Sequence, residues 1–249
     1  MIQVRDVVKS FDGNVVLNHI SADFEDGKVN MIIGQSGSGK TVLMKSMIGL
    51  HQIDEGQILF DTRNGQQNLA GMKEKEVRML HREVGMLFQG SALFDSMTVQ
   101  ENVMYPLEMF SDMTNEEMVA RARFCLERVN MPERAFGLMP SEISGGMQKR
   151  VAIARAIALN PRYLFCDEPN SGLDPVTSLV IDKLIEEITE EYNITTIVNT
   201  HDMNSIMETG AHIILIEKGH KAWEGSKEDI FTSDNKSLND FVFASDLFK

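Results

Sequence analysis

The segment "GQSGSGKT" at residues 34 to 41 decides the fold class of this chain. It follows the apolar run "VNMIIG" and leads into "KTVLMKSMIGL", which has the apolar spacing of a helix. The pattern G-x-x-x-x-G-K-[ST] between a strand and a helix is typical of a loop whose backbone N–H groups surround phosphate oxygens. The helix N-terminus that follows adds a partial positive charge. The segment therefore predicts a phosphate-binding α/β domain.

Short, unbroken apolar runs recur along the rest of the chain. They are "VGMLF" at 84–88, "YLFCD" at 163–167, "TTIVNT" at 195–200 and "HIILIE" at 212–217. Runs of this length are typical of strands that are buried on both faces of a sheet. The segment "PVTSLVIDKLIEEITEEY" predicts a helix that begins at Pro175 and ends near Asn193. We expect a mainly parallel sheet with helices on its faces.

Strand signals are missing between residues 90 and 160, where a helical lobe is predicted. Thr114 and Glu117 have the spacing of a capping box and open one of its helices. The predicted buried face of that helix carries Met118, Ala122, Cys125, Leu126 and Val129. The terminal segment "LNDFVFASDLFK" is apolar and aromatic, and we expect it to pack on its own domain or on a paired copy.

Composition excludes several classes of protein. The chain has 249 residues, of which 43% are hydrophobic, and no apolar run approaches the ~20 residues of a membrane-spanning helix. No export signal is visible at the start, so we expect a cytoplasmic protein. Cys125 and Cys166 lack metal-ligand spacing and are predicted to be buried free thiols. The net charge of −13 disfavours a broad nucleic-acid surface.

Two carboxylates complete a predicted hydrolytic site. Asp167 and Glu168 end the strand "YLFCD", and ligands of parallel sheets bind at that edge. We expect Lys40 to reach the β- and γ-phosphates of a nucleotide and Thr41 to bind Mg²⁺ through its hydroxyl. Asp167 can hold the same Mg²⁺ through its water shell, while Glu168 can take a proton from an attacking water.

Further residues stand in a fixed order around these two motifs: Phe11, Gln89, the segment Ser144, Gly145 and Gly146, then Asp174 and His201. In this order they resemble the aromatic A-loop, Q-loop, signature motif, D-loop and switch histidine of the ATP-binding-cassette (ABC) ATPases, and the resemblance covers nearly the whole chain. The resemblance implies an ABC-type P-loop core with a mainly parallel sheet, an N-terminal antiparallel β portion and an inserted α-helical subdomain. It implies one domain over 1–249, with a RecA-like core at 1–89 and 161–235, a helical subdomain at 90–160 and a tail at 236–249.

The resemblance also implies the site residues, with ATP and Mg²⁺ as the bound species. The implied nucleotide contacts are Phe11, Gly34, Gln35, Ser36, Gly37, Ser38, Gly39, Lys40, Thr41, Ser144, Gly145, Gly146 and Asp174. The implied catalytic residues are Glu168, His201 and Gln89, and the implied metal site consists of Thr41, Gln89 and Asp167.

The family's signature motif serves a second copy of the chain. Two cassettes pair head to tail, and Ser144, Gly145 and Gly146 would close over the ATP of the partner with backbone donors and a helix N-terminus. This chain has Met147 where the commonest signature has glutamine, and Gln148 stands one place later. A thioether lacks the hydrogen bonds of an amide, so one contact worth ~1 kcal/mol is lost or replaced.

Shorter segments resemble a subgroup of these ATPases. "SGGM", "FQGSALFDSMTVQENVMYPL" and "SGLDPVTS" look like the cassettes of MCE-type (mammalian cell entry, Mla/Mkl) lipid-transport systems in bacteria. This implies membrane permease subunits and an MCE-domain protein as partners, at the cytoplasmic face of the inner membrane. Methionines near Gln89, where the permease would bind, fit either core packing or a partner surface. They are Met97, Met104, Met109, Met113 and Met118.

Two other classes of the same superfamily stay open as alternatives. Nucleic-acid ATPases, such as DNA-repair or chromosome-maintenance motors, normally carry coiled-coil, zinc or DNA-binding insertions, and the sequence contains none of these. Ribosome-associated factors usually join two cassettes in one chain, whereas this chain has a single set of motifs. The sequence therefore favours a transport ATPase that does not bind nucleic acid.

Overall fold

The computed structural model describes residues 1–62 and 65–244, which form two sheets and eight α-helices. The strands are β1 (Ile2–Phe11), β2 (Asn14–Phe24), β3 (Val29–Ile33), β4 (Glu55–Thr62), β5 (Gly65–Asn68), β6 (Val84–Leu87), β7 (Tyr163–Asp167), β8 (Thr195–Thr200), β9 (His212–Glu217) and β10 (His220–Gly225). The helices are α1 (Lys40–Met47), α2 (Glu74–His81), α3 (Val99–Phe110), α4 (Asn115–Arg128), α5 (Gly145–Ile157), α6 (Pro175–Tyr192), α7 (Met203–Thr209) and α8 (Lys236–Ala244).

The larger sheet has the strand order β10-β9-β3-β8-β7-β6 and is parallel from β9 to β6. Every residue of β3, β7 and β8 is buried, as the unbroken apolar runs predict. Neighbouring residues of β3 face different cores, because Met31 belongs to one apolar cluster and Ile32 to the other. The predicted α/β class with a mainly parallel sheet is confirmed.

The smaller sheet is antiparallel, with the order β2-β1-β4-β5. Its buried residues, such as Ile2 and Phe60, share a cluster with Leu43 and Met47 of α1. The sheet therefore covers the helix that follows the phosphate loop, which we define as residues 34–41. This is the N-terminal antiparallel portion that the family resemblance implies, and it is confirmed.

Helices α3, α4 and α5 lie between β6 and β7 in the chain, where the sequence predicts a helical lobe. The capping box of Thr114 and Glu117 is present at the start of α4. On the predicted face, Met118 is half-buried, and the fully buried residues are Ala122, Cys125, Leu126 and Val129. The exact division of the chain into core, lobe and tail stays a prediction.

Two local predictions concern a helix and the cysteines. Pro175 is the first residue of α6, and Asn193 ends the helix in the left-handed conformation with φ of 50°. Cys125 and Cys166 are buried free thiols, as predicted. Burial raises the pKa of Cys125 to about 11, so this thiol stays protonated at neutral pH.

The C-terminal helix α8 packs on its own domain. Leu238 and Phe241 are buried in the larger apolar cluster, and α8 contacts β10. This agrees with the first of the two packing arrangements predicted for the tail, whose remaining Leu247 and Phe248 lie outside the described residues. Within the described part of the chain, none of the helices combines the length and the apolar character that a bilayer span requires.

Replacing Phe241 by alanine should lower the free energy of unfolding by about 3–5 kcal/mol, because the ring is buried and its loss leaves a cavity. Thermal and urea unfolding of the purified chain measure the effect. Lys236→Ala is the matched control, since Lys236 belongs to the same helix and is exposed. An unchanged unfolding midpoint for Phe241→Ala would contradict the packing of α8.

Candidate active site

The phosphate loop lies at the carboxyl end of β3 and needs glycine at two of its positions. Gly34 has φ of +144°, and a Cβ at this position would lie 2.2 Å from the carbonyl oxygen of Ile216. Gly39 has φ of +111° and precedes Lys40, the first residue of α1. The loop is therefore fixed between β9 and the N-terminus of a helix, which is a favourable place for an anion.

Lys40 is the buried cation of this loop. Its Nζ donates hydrogen bonds to the carbonyl oxygens of Gly34, at 2.8 Å, and Gln35, at 3.1 Å. Burial lowers the pKa of Lys40, and the nearby charges of Glu168 and Asp167 oppose that shift. The ammonium group thus lies close to both predicted carboxylates, within the loop where phosphate oxygens would be bound.

Asp167, at the end of β7, contacts two polar side chains. Oγ1 of Thr41 lies 3.3 Å from its Oδ1, and Nδ2 of Asn199 donates to the same oxygen at 3.1 Å. Asn199 is fully buried, and our sequence reasoning missed it, although an asparagine within the apolar strand "TTIVNT" was a usable signal. The asparagine restrains the carboxylate beside Thr41.

These oxygens fit a Mg²⁺ ion that also binds nucleotide. The described residues contain no group of three or more His, Cys, Asp or Glu side chains that could hold a metal unaided. Mg²⁺ is usually bound through one or two carboxylates together with substrate phosphates. Thr41 and Asp167 supply such a partial set, and Gln89 lines a cavity together with Thr41.

Glu168 and His201 form a pair at the edge of the cavity. Nδ1 of His201 lies 2.9 Å from Oε1 of Glu168, and in the tautomer that carries a proton on Nδ1 this nitrogen donates a hydrogen bond to the carboxylate. The Glu168 side chain is 15% exposed, against 67% for His201. Glu168 itself has the left-handed φ of 48°, and its backbone N–H donates to the Asn199 carbonyl at 3.0 Å. The fold therefore holds a carboxylate in one orientation beside the phosphate loop.

One cavity of about 500 Å³ brings most of the predicted site together. Its wall combines the phosphate loop with Gln89, Glu168 and His201. Phe241 of α8 also lines it, which sequence reasoning missed because no local pattern connects residue 241 with the loop. The volume lies within the ~300–1,000 Å³ of ordinary ligand pockets.

Phe11 does not line this cavity. Its ring is 39% exposed and meets the ring of His51 edge-on, with the centroids 5.3 Å apart. Val16 of β2 lines the cavity instead. Stacking of Phe11 on adenine, which the family resemblance implies, stays a prediction.

The signature residues also lie outside the cavity. Ser144 caps α5 by accepting a hydrogen bond from the Met147 N–H at 3.3 Å, and Gly145 is exposed. The Met147 side chain packs against the apolar core, while the Gln148 amide donates to the Pro140 carbonyl at 2.9 Å. Gln148 therefore does not take over the missing amide of the signature in this structure.

Asp174 caps α6 and lies next to the signature segment. Its Oδ1 accepts from the N–H groups of Val176, at 3.1 Å, and Thr177, at 3.0 Å. Hydrogen bonding from Thr177 lowers the pKa of Asp174, so the carboxylate stays ionised. An added Cβ at Gly146 would lie 2.8 Å from Cγ2 of Thr177, so the two segments touch. The predicted nucleotide contacts of Asp174 and the signature residues stay predictions.

Comparison with known proteins agrees with this arrangement. Residues 17–171 match the ABC transporter family. This chain belongs to that family. It is 37% identical to the methionine import ATP-binding protein MetN of Clostridioides difficile, over 97% of this chain and 74% of the relative. It is 32% identical to the "Probable ribonucleotide transport ATP-binding protein mkl" of Mycobacterium leprae, over 97% of this chain and 68% of the relative.

A solved structure shares the cassette fold. It is the dimeric ATP-binding cassette MJ0796 in a post-hydrolysis state bound to ADP and Pi, with a TM-score of 0.82 and 31% identity. The match covers 91% of this chain and 99% of MJ0796. The chain is an ABC-type ATPase whose nucleotide hydrolysis is coupled to transport.

Proposed function

We propose that Glu168 is the general base of ATP hydrolysis in this transport ATPase. The observation that carries the proposal is the Glu168–His201 pair, which lines the same cavity as the phosphate loop. Lys40 and the loop amides bind the phosphates, Glu168 accepts a proton from water, and His201 keeps the carboxylate oriented. Thr41, Asp167 and Gln89 would hold Mg²⁺, which neutralises phosphate charge.

The exposed signature segment supports a head-to-tail pair of two copies. Helix α5 begins at Gly145 with backbone N–H groups that have no partner within the helix, and Ser144 and Gly145 are exposed. Such a helix end can bind the phosphates of a nucleotide held by a second copy. The structural relative MJ0796 forms a dimer as well. Asp174, next to this segment, would face the same interface.

An apolar cavity beside the Gln89 loop, which we define as residues 89–92, supports docking of a membrane permease. This second cavity has a volume of about 470 Å³, and its wall includes Phe88, Phe94, Tyr105 and Phe110. Phe88 and Phe94 are 37% and 39% exposed, which is unusual for clustered aromatic rings unless a partner covers them. A cytoplasmic helix of a permease fits this surface and would bring the chain to the cytoplasmic face of the membrane.

The five methionines quoted above for the helical lobe were open to core packing or to a partner surface, and they differ in their burial. Met104 is buried and Met118 packs against the core, whereas Met109 and Met113 are 46% and 42% exposed. Among the described residues, none of the five methionines lines the apolar cavity. Core packing therefore explains two of them, and aromatic residues form the proposed docking surface.

For the substrate we propose a lipid, moved by a permease together with an MCE-domain protein. The proposal is supported by the segments quoted above, which resemble the Mla/Mkl group; one relative carries the name mkl, although that name gives ribonucleotide transport. Methionine and ribonucleotides are the alternatives, because the relative with 37% identity is a methionine import protein and the mkl protein is named for ribonucleotide transport. Nucleic acid is a poor candidate, since the chain has a net charge of −13.

The complex tests this function. We expect the chain to copurify with its permease and to hydrolyse ATP faster in the complex than alone, while DNA and RNA leave the rate unchanged. Phe94→Glu should abolish copurification because it places a charge on the apolar docking surface. Phe124→Glu is the matched control, since Phe124 is a 47% exposed ring elsewhere in the helical lobe. Equal copurification of both variants would contradict docking at this surface.

Transport assays with the same complex distinguish a lipid substrate from methionine. In proteoliposomes, a lipid transporter should move labelled phospholipid in an ATP-dependent manner and should be insensitive to methionine. ATP-dependent uptake of methionine without movement of phospholipid would overturn the lipid assignment. Stimulation of the isolated chain by nucleic acid at physiological salt would favour a nucleic-acid ATPase instead.

A further inference from the structure

Helix α5, which carries the signature at its N-terminus, lies along the chain segment that leads to Gln89. At Gly85 of β6 an added Cβ would lie 2.4 Å from the carbonyl oxygen of Ala156, so α5 and β6 are in direct backbone contact. Further along, the Arg155 guanidinium donates at 2.7 Å to the carbonyl oxygens of both Ser91 and Ala92. One helix thus supports this segment before and after Gln89.

The third contact of this series is made by a buried lysine. Lys149 is 4% exposed, and its Nζ donates to the backbone carbonyl of Gln89. Lys149 and Ala156 are seven residues apart and therefore share one face of α5. Burial lowers the pKa of Lys149, while charges that include those of Glu168 and Asp167 oppose the shift. The ammonium that binds the Gln89 carbonyl is therefore also near enough to both carboxylates to interact with their charges.

The Gln89 loop has a backbone conformation that its own sequence does not favour. Ser91 and Ala92 have φ of 62° and 47°, the left-handed region that costs about 1–2 kcal/mol for a residue with a Cβ. Two such residues in succession persist only where surrounding contacts impose the path of the chain. Lys149 and Arg155 are the side chains of α5 that make those contacts, so the position of Gln89 depends on α5.

We propose that Lys149 is a positioning residue for ATP hydrolysis, which holds the Gln89 backbone on the signature helix so that the Gln89 side chain faces the nucleotide. The proposal rests on the function proposed above for Gln89. Through this bond, a movement of Gln89 on nucleotide binding is passed to α5, whose N-terminus, about one turn before Lys149, is to meet the partner's nucleotide. Lys149 itself does not need to touch nucleotide or metal.

A double-mutant cycle tests the proposal with the full chain and ATP. Lys149→Met should lower kcat about tenfold, because a displaced Gln89 no longer supports the reacting geometry, while the KM for ATP changes less than about twofold. In the Gln89→Ala background the same substitution should change kcat less than about twofold, since the group it positions is absent. Lys149→Arg should restore most of the activity, because it retains a cationic donor.

The matched control is Arg121→Met. Arg121 of α4 also donates to backbone carbonyls at the C-terminal end of α5, those of Ile157 at 3.0 Å and Ala158 at 2.9 Å, whereas Lys149 binds the carbonyl of Gln89 itself. It should lower the unfolding midpoint as much as Lys149→Met and leave kcat unchanged. Equal losses of kcat for Arg121→Met and Lys149→Met would show a general loss of stability and overturn the proposal.

The double-mutant cycle also distinguishes failure of the proposed role of Lys149 from failure of the proposed role of Gln89. Additive effects of Lys149→Met and Gln89→Ala on kcat, with Gln89→Ala slow by itself, would overturn the role of Lys149 and leave that of Gln89 intact. A wild-type rate for Gln89→Ala would overturn the proposed role of Gln89, and the role of Lys149 with it.

Discussion

Replacing Glu168 by glutamine should lower ATP turnover by roughly 10²–10⁴-fold while ATP binding is retained. The amide has the size of the carboxylate and can still accept a hydrogen bond from His201, but it cannot take a proton from water. Lys40 and the rest of the phosphate loop are untouched, so affinity for ATP should be preserved. Steady-state hydrolysis and equilibrium binding of a fluorescent ATP analogue measure the two quantities, and the ATP-bound variant should accumulate as a dimer.

Two variants serve as controls for Glu168→Gln. Glu190→Gln changes an exposed carboxylate of α6 and should hydrolyse ATP at the wild-type rate. Asp167→Asn should instead weaken Mg²⁺-dependent nucleotide binding, because Asp167 is buried and its carboxylate contacts the Thr41 hydroxyl. Near-normal turnover of Glu168→Gln would remove Glu168 as the base and leave the nucleotide site itself in place.

The sequence predicts the parts of this protein that local patterns determine. The glycine spacing predicts the phosphate loop, and Gly34 and Gly39 adopt in it the positive φ that glycine allows. The buried strand "YLFCD" delivers Asp167 and Glu168 to the carboxyl edge of the sheet because parallel strands end together there. The capping box of Thr114 and Glu117 is also a local pattern, and it marks the start of α4 correctly. In these cases the determining residues lie within a few positions of one another.

Contacts between distant segments were not predictable from a single sequence. Phe241 reaches the phosphate loop only because α8 folds back on β10, and nothing near residue 241 indicates that path. Lys149 belongs to an ordinary helical pattern, and its bond to Gln89 joins residues 60 positions apart. The carboxylate of Asp174 caps the first turn of α6, a contact that the family order does not indicate, while its nucleotide contact stays a prediction. Family order places such residues but does not reveal what their side chains contact.

The second prediction with a large expected effect concerns nucleotide sites shared by two copies of the chain. In each such site, the signature of one copy covers the nucleotide bound by the other copy. Lys40→Ala removes the buried ammonium of the phosphate loop. Gly145→Asp places a carboxylate where phosphate would approach, and it suits the first turn of a helix, so α5 should remain folded. A Cβ at Gly145 has only an ordinary contact, 3.8 Å from Leu173, whereas at Gly146 it would press on Thr177. Gly145 is therefore the better position for this test.

Each variant paired with itself has both nucleotide sites damaged and should occlude almost no nucleotide. In a mixed pair, both substitutions fall in the same composite site if the signature acts across the interface, and the other composite site is intact. If the signature acted within its own chain, each site of the mixed pair would carry one substitution. If the signature acts across the interface, the mixed pair should therefore regain nucleotide occlusion at one site. If it acts within its own chain, no site of the mixed pair is intact and occlusion should not recover.

The decisive measurement is nucleotide occlusion by doubly tagged, purified mixed complexes on the permease, in the presence of orthovanadate as a mimic of the transferred phosphate. We expect about one occluded nucleotide per mixed pair, because one complete set of phosphate contacts survives, and almost none for either parent variant. Occlusion is measured rather than turnover, since hydrolysis that needs both sites would stay slow. Mixed complexes as empty as both parents would contradict the proposal that two copies share each hydrolysis site.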